Sequence, residues 1–126
     1  MKIIKAPLRV SLFGGGCDLP EYAKQYGATI LSFALDSAIY LTWNERHTGG
    51  CRLTYSEVEE LDTLREAEHS LVRAAANHYG IPEPCTLSIV SDIPKGTGLG
   101  SSSALAVALC ELSHATKQSG KDAAAT

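Results

Sequence analysis

The chain has 126 residues, 44% hydrophobic and 20% charged, which is enough for one buried core. A net charge of −3 and a pI near 5.7 argue against a nucleic-acid surface, which needs a basic patch. No apolar run approaches the roughly 18 residues of a membrane-spanning helix, and "MKIIKAPLRV" lacks the apolar stretch of a signal peptide.

In chain order, Ile3 and Ile4, then Leu8, Val10 and Leu12, predict strands, with Arg9 and Ser11 on the open face. Gly14 to Asp18 break the chain. "LPEYAKQYG" predicts a short helix, with Pro20 in its first turn and Gly27 closing it. "ATILSFAL" and "SAIYLTW" read as two strands separated by a turn at Asp36 and Ser37. After the polar loop "NERHTGG", "CRLTYS" predicts a short strand. From Leu61 the period changes: Leu61, Leu64, Ala67, Leu71, Ala75 and Tyr79 predict one amphipathic helix, stopped by Gly80 and Pro82. "EVEELD" ahead of it suits the helix N-terminal dipole and carries no expected chemistry. "CTLSIVSDI" is a strand, Ala104 to Ala115 a second, mostly apolar helix, and "KQSGKDAAAT" shows no pattern that needs packing. The order predicts a single α+β (α/β two-layer) domain over 1–126, a mixed sheet packed with helices.

Cys17, Cys51, Cys85 and Cys110 are scattered, with no CxxC pair, so neither a zinc site nor a disulfide framework is expected. Reduced core thiols fit a cytoplasmic protein. His47, His69, His78 and His114 share no ligand spacing and read as surface or helix-packing residues. Trp43 could stack on a base, but a strand-end aromatic fits the core better.

The densest signal is "PKGTGLGSSSALAVALC", Pro94 to Cys110. Alternating glycines let backbone amides approach a ligand, and a helix that starts behind them aims its positive end into the loop, which outlines a phosphate site. Two familiar phosphate loops fail. The P-loop needs a lysine after its last glycine, where Ser101 stands; the dinucleotide fingerprint needs a third glycine or small substitute at a different spacing, and an acid at the end of a second strand where a helix follows here. One serine of Ser101 to Ser103 could cap the helix, another reach a phosphate, and another hold a hard metal ion. A plain glycine turn with serine capping needs fewer such residues than this stretch supplies. Lys95 is either a phosphate contact or a solvated lysine.

This stretch resembles the second motif of the GHMP kinases (proline, any, glycine, any, glycine, leucine, glycine, serine, serine), and Pro94 to Ser102 matches every fixed place. "APLRVSLFGGGCD", Ala6 to Asp18, is similar to the family's first motif. The resemblance implies a fold like domain 2 of ribosomal protein S5, with ATP and Mg²⁺ as cofactors. Lys95, Gly96, Gly98, Leu99, Gly100, Ser101, Ser102 and Ser103 would bind ATP, and Ser102 would help hold the metal. Arg9 would be catalytic, facing the transferred phosphate. Gly15, Gly16 and Asp18 would meet the acceptor, a small-molecule sugar or sugar phosphate, although Asp18 could instead cap the following turn.

Arg9, the triple glycine and "DLPEY" look most like the branch containing D-glycero-D-manno-heptose 7-phosphate kinase and related fucokinase domains, which implies phosphorylation of an anomeric hydroxyl. Galactose, fucose or mevalonate as acceptor, or a non-catalytic nucleotide-binding module, are the alternatives. An RNA-binding protein of the same fold is a third class, disfavoured by the acidic balance. The resemblance implies that the family's third glycine-rich motif and its aspartate base would lie beyond Thr126, Asp122 being too close behind the helix to replace that base. The chain therefore reads as the N-terminal ATP-binding part of a kinase without its C-terminal domain, expected to bind nucleotide weakly and turn over poorly on its own.

Overall fold

A computed structural model describes residues 1–124, with side-chain surroundings described to residue 118; the side chain of Asp122 and residues 125–126 lie outside the described residues. Strand β1 (Lys2–Phe13) and strand β2 (Leu31–Glu45) form a long antiparallel ladder running from Lys2↔Trp43 to Phe13↔Leu31. Strand β5 (Cys85–Ser91) pairs antiparallel with β2 and parallel with β3 (Cys51–Thr54). Strand β4 (Val58–Leu61) closes the sheet against β3, giving the order β1-β2-β5-β3-β4. Helices α1 (Pro20–Tyr26), α2 (Ser70–His78) and α3 (Ser101–Ala124) complete the chain.

The alternation in β1 buries Ala6 and Leu8 while Arg9 stays on the open side. Leu8, Leu41, Leu53 and Leu87 from the sheet meet Val72 and Ala76 of α2 and Leu105, Leu109 and Leu112 of α3 in one core. The five-stranded mixed sheet packed against helices is the α+β architecture expected from the sequence. Trp43 packs partly against this core and donates Nε1–H to the Pro82 carbonyl at 3.2 Å, so the core reading of Trp43 holds.

Three expectations need correction. "ATILSFAL" and "SAIYLTW" belong to one strand: at Asp36 and Ser37 the ladder bulges, its partner shifting from Ala38 opposite Pro7 to Ala34 opposite Arg9, without reversing the chain. The helix expected from Leu61 begins only at Ser70. Val58–Leu61 instead pairs as β4, and a 3-10 turn follows at Leu64–Glu66. Glu83 captures that segment, accepting from the Leu64 amide at 2.9 Å and the Thr63 hydroxyl at 3.1 Å. Leu64 and Ala67 still reach the core, so the apolar spacing was real and the helix was not. Finally, α3 begins at Ser101 and runs to Ala124, through most of the segment expected to be a patternless tail.

The tip of the β1–β2 hairpin and α1 form an arm with little packed against it. Helix α1 buries no residue, and Phe13 and Tyr26 stand 65% and 67% exposed. At the hairpin's other structural joint, Asp92 ties the end of β5 to the bulge: its carboxylate accepts from the Ala38 amide at 2.9 Å, and its own amide donates to the Ala38 carbonyl at 3.1 Å. That anchor fixes where the glycine segment leaves the sheet.

Candidate functional site

β5 delivers the chain into the segment 94–100, and α3 carries it away into the core. Gly96, Gly98 and Gly100 have φ of +83°, +71° and +75°, in the left-handed region that strains other residues. A side chain added at Gly96 or Gly98 would meet no atom within 4 Å, so the backbone there faces open space. Gly100 is different. A Cβ there would stand 3.1 Å from Cγ and Nε of Arg9, whose side chain crosses the loop at that point. The Arg9 amide also donates to the Leu99 carbonyl at 3.0 Å, while Leu99 packs its side chain against the core. β1 and the glycine loop are therefore clamped by backbone and side chain together.

The helix begins without help from its serines. The Ala104 amide bonds the Gly100 carbonyl at 2.9 Å, so Gly100 stands at the cap position. Among the described residues, none of the Ser101, Ser102 and Ser103 hydroxyls has a hydrogen-bond partner. The serine-capping alternative therefore does not account for them. The first-turn amides of α3 likewise have no intrahelical acceptor. Amide donors, free hydroxyls and the positive end of a 24-residue helix converge at one place.

They border a cleft of about 1080 Å³, lined by Lys95, Gly96, Ser101 and Ser102 and, on other walls, by Tyr55 and His69. Ile39, Ile89 and Leu105 make part of it apolar. Lys95 Nζ lies 5.4 Å from the centre of the Tyr55 ring, a cation–π arrangement that holds it in the wall. Tyr55 donates its hydroxyl to Glu59 at 2.8 Å, and this bond, with burial, pushes its phenol up to about 12. Burial works to raise the Glu59 carboxyl, but hydrogen bonds from the Glu68 amide, at 2.9 Å, and from Tyr55 outweigh it and leave the group below its ordinary range. Burial and the Lys95 charge hold the His69 imidazole below its usual value.

On the other side of the start of α3 lies a smaller cleft of about 350 Å³, bordered by Arg9, Lys5, Gly100, Ser103 and Glu111. The Arg9 guanidinium makes no hydrogen bond or ion pair among the described residues. The loop thus separates two clefts, with Ser101 and Ser102 facing the larger one and Arg9 and Ser103 the smaller.

The first motif's other residues lie apart from both. After β1, Gly14 (φ +91°) turns so tightly that a Cβ would sit 2.4 Å from the Thr29 carbonyl oxygen. Gly15 and Gly16 follow with open space beside them. Asp18 is exposed and does not cap α1, whose cap position is Leu19. Gly15, Gly16 and Asp18 line neither cleft, and Gly98 and Leu99 contribute loop geometry rather than lining.

The structure also adds two residues to the larger cleft. Tyr55 lies in the expected strand "CRLTYS", just past the observed end of β3 at Thr54, and His69 is expected as a surface or packing histidine; both enter the wall because β4 and the 3-10 turn replace the expected helix. Among the described residues, no three or more His, Cys, Asp and Glu side chains are grouped so as to hold a metal. No described helix is long and apolar enough to cross a membrane.

Residues 63–124 match the family described as GHMP kinases N terminal domain. Mevalonate kinase of Thermococcus sibiricus is 31% identical over 130 residues, covering 84% of this chain and 36% of that protein. D-glycero-alpha-D-manno-heptose 7-phosphate kinase of Campylobacter jejuni is 30% identical over 124 residues, covering 85% of this chain and 36% of that protein. The chain thus spans little more than a third of the curated relatives it matches. Among solved structures, a D-glycero-D-manno-heptose 1-phosphate kinase from Bacteriodes thetaiotaomicron superposes with a TM-score of 0.74 at 25% identity, over 87% of this chain and 40% of that one. The glycine–serine loop, the mixed sheet that presents it and these similarities agree: the chain belongs to the GHMP kinase family.

Proposed function

We propose that the chain is the ATP-binding part of a kinase that phosphorylates a hydroxyl of a small sugar or sugar phosphate. The observation that carries this reading is the set of three serine hydroxyls at the start of α3, without a partner among the described residues, beside a left-handed glycine loop that opens onto a cleft. The open space beside Gly96 and Gly98 fits a polyphosphate held by main-chain amides. Lys95 and the N-terminus of α3 would offset its charge, and the hydroxyls of Ser101 and Ser102 would reach phosphate oxygens. A hard Mg²⁺ ion suits oxygen donors, here Ser102 together with the phosphates themselves, and would draw off negative charge during transfer.

Arg9 carries the catalytic role in this reading. Its guanidinium, unpaired among the described residues, is held against Gly100, at the boundary between the two clefts, where charge spreading on a transferred phosphoryl group would be stabilised. Gly15, Gly16 and Asp18 contribute to acceptor binding, the two glycines leaving room and the carboxylate accepting from sugar hydroxyls. The triple glycine and Asp18 favour D-glycero-D-manno-heptose 7-phosphate, with transfer to the anomeric oxygen. Mevalonate is the second reading, because the mevalonate kinase relative is as similar as the heptose kinase relative. A nucleotide-binding module without turnover is the third.

Calorimetric titration of MgATP into the 126-residue chain tests the nucleotide reading, and heat uptake that disappears in a Ser101→Ala/Ser102→Ala variant is the expected result. Absence of any MgATP binding would sink it. Phosphoryl transfer assayed side by side on heptose 7-phosphate and mevalonate, in a protein that continues past this chain to the length of the relatives, then ranks the acceptors. Binding without transfer to either favours the module.

A further inference from the structure

His69 occupies the N-cap position of α2, yet its side chain makes no capping hydrogen bond, so the helix does not account for it. Its Nδ1 is buried and has no hydrogen-bond partner among the described residues. A neutral imidazole carries one proton, and a buried N–H without an acceptor is rarer in folded proteins than an acceptor left unused. The proton therefore belongs on Nε2. That nitrogen is neither buried without a partner nor bonded to another group, and the residue it belongs to lines the larger cleft. His69 thus offers a single N–H donor to the space that also holds Lys95, Gly96, Ser101 and Ser102.

We propose that His69 reads the base of a bound nucleotide by donating Nε2–H to an acceptor on the base edge, an assignment that rests on the nucleotide reading of this cleft. The ring is fixed in place: it packs edge-on with the Tyr55 ring, centroids 4.9 Å apart and planes at 88°, and Tyr55 is itself anchored to Glu59. Lys95 lies over the same tyrosine, so cation, phenol and imidazole form one continuous wall. A histidine meant for phosphate gains from being protonated. This one is kept neutral by burial and by Lys95, with Glu59 pulling the other way, which matches an uncharged partner.

The test compares two probes on the 126-residue chain: ATP, and inorganic triphosphate, which has the phosphates and no base, both with Mg²⁺. Wild type is expected to bind ATP the more tightly. His69→Ala should weaken ATP about tenfold, the effect of one lost hydrogen bond, and change triphosphate affinity less than about twofold. His69→Gln, which keeps an N–H donor, should recover most of the loss and also serves if the alanine variant does not fold. Equal weakening of both probes, or no change in either, overturns the proposal, as does a wild type that does not favour ATP. Failure of the nucleotide reading itself looks different: wild type then binds neither probe.

Discussion

Arg9 and Gly100 touch across the glycine loop: the arginine's Cγ and Nε lie 3.1 Å from where a β-carbon at position 100 would stand. Gly100→Ala therefore both strains a left-handed residue (φ +75°), costing roughly 1 kcal/mol, and pushes Arg9 aside. The expected result is a small drop in melting temperature with a much larger loss of phosphoryl transfer. In a double-mutant cycle with Arg9→Ala, the two losses in transfer should fall well short of additive, because either change alone removes the same arginine from its place. Strict additivity would show that the contact has no bearing on function.

The Ser102 hydroxyl makes no hydrogen bond among the described residues, so its removal should be invisible to folding and visible to ligand. Ser102→Ala is expected to leave the melting temperature within about one degree, since no folded-state bond is lost. Affinity for MgATP should fall about tenfold, while metal-free ATP, titrated in chelator, shifts by less than about twofold if the hydroxyl acts through the metal. Equal losses with and without metal would reassign Ser102 to direct phosphate contact.

Cys51 and Cys85 are fully buried, whereas Cys17 and Cys110 are partly exposed. Burial and the neighbouring Cys51 push the Cys85 thiol up to about 12. Because only thiolate reacts, iodoacetamide at pH 8 should label Cys17 and Cys110 in the folded protein and all four thiols in urea, read by mass spectrometry. Labelling of Cys85 without denaturant would contradict the packing of β5 beside β3.

Acid should weaken the fold through groups whose protons bind less readily in the folded state, namely His69, Glu59 and the exposed Glu60, which accepts from Arg46. His69 lies below its ordinary 6.5, so the unfolded chain takes up its proton first and stability falls as pH drops from about 6.5 towards the depressed folded value. Glu59 lies below its ordinary 4.5, so its contribution, present above that pH, is lost on further acidification. Urea melts at intervals between pH 7.5 and 4 should show a monotonic decline, with the upper part flattened in His69→Gln. Stability that rises on acidification through pH 6 would reverse the sign assigned to His69.

Leu8 is 1% exposed and stands next to Arg9 on β1. Leu8→Ala should cost 2–5 kcal/mol, roughly the range for cavities at fully packed leucines, by urea denaturation. A cost under about 1 kcal/mol would mean that α3 does not pack on β1 as described.

The parts of this molecule that local chemistry decides were readable in the chain. Pro94 to Ser102 declared its loop because left-handed backbone needs glycine at 96, 98 and 100, and the burial of Leu8 beside an exposed Arg9 followed from simple alternation. What escaped depended on distant partners. The Glu83 carboxylate takes the Leu64 amide from across 19 residues, turning a helical spacing into a 3-10 turn. β3 recruits Val58–Leu61 as its neighbour. Those two events bring Tyr55 and His69 to the cleft, and nothing within a few residues of either one announces it.

The arm formed by the hairpin tip and α1 has a colloidal consequence. Residues 12–33 carry more than half of the exposed large apolar side chains, Phe13, Leu31 and Phe33 among them, gathered on one projection rather than dispersed. Gathered greasy surface makes solutions self-adhesive, so scattered-light intensity per unit mass should climb with concentration and relax when a mild nonionic surfactant coats the projection. The same handful of rings that leaves the sheet's core intact thus governs how concentrated a clear solution of this protein can become.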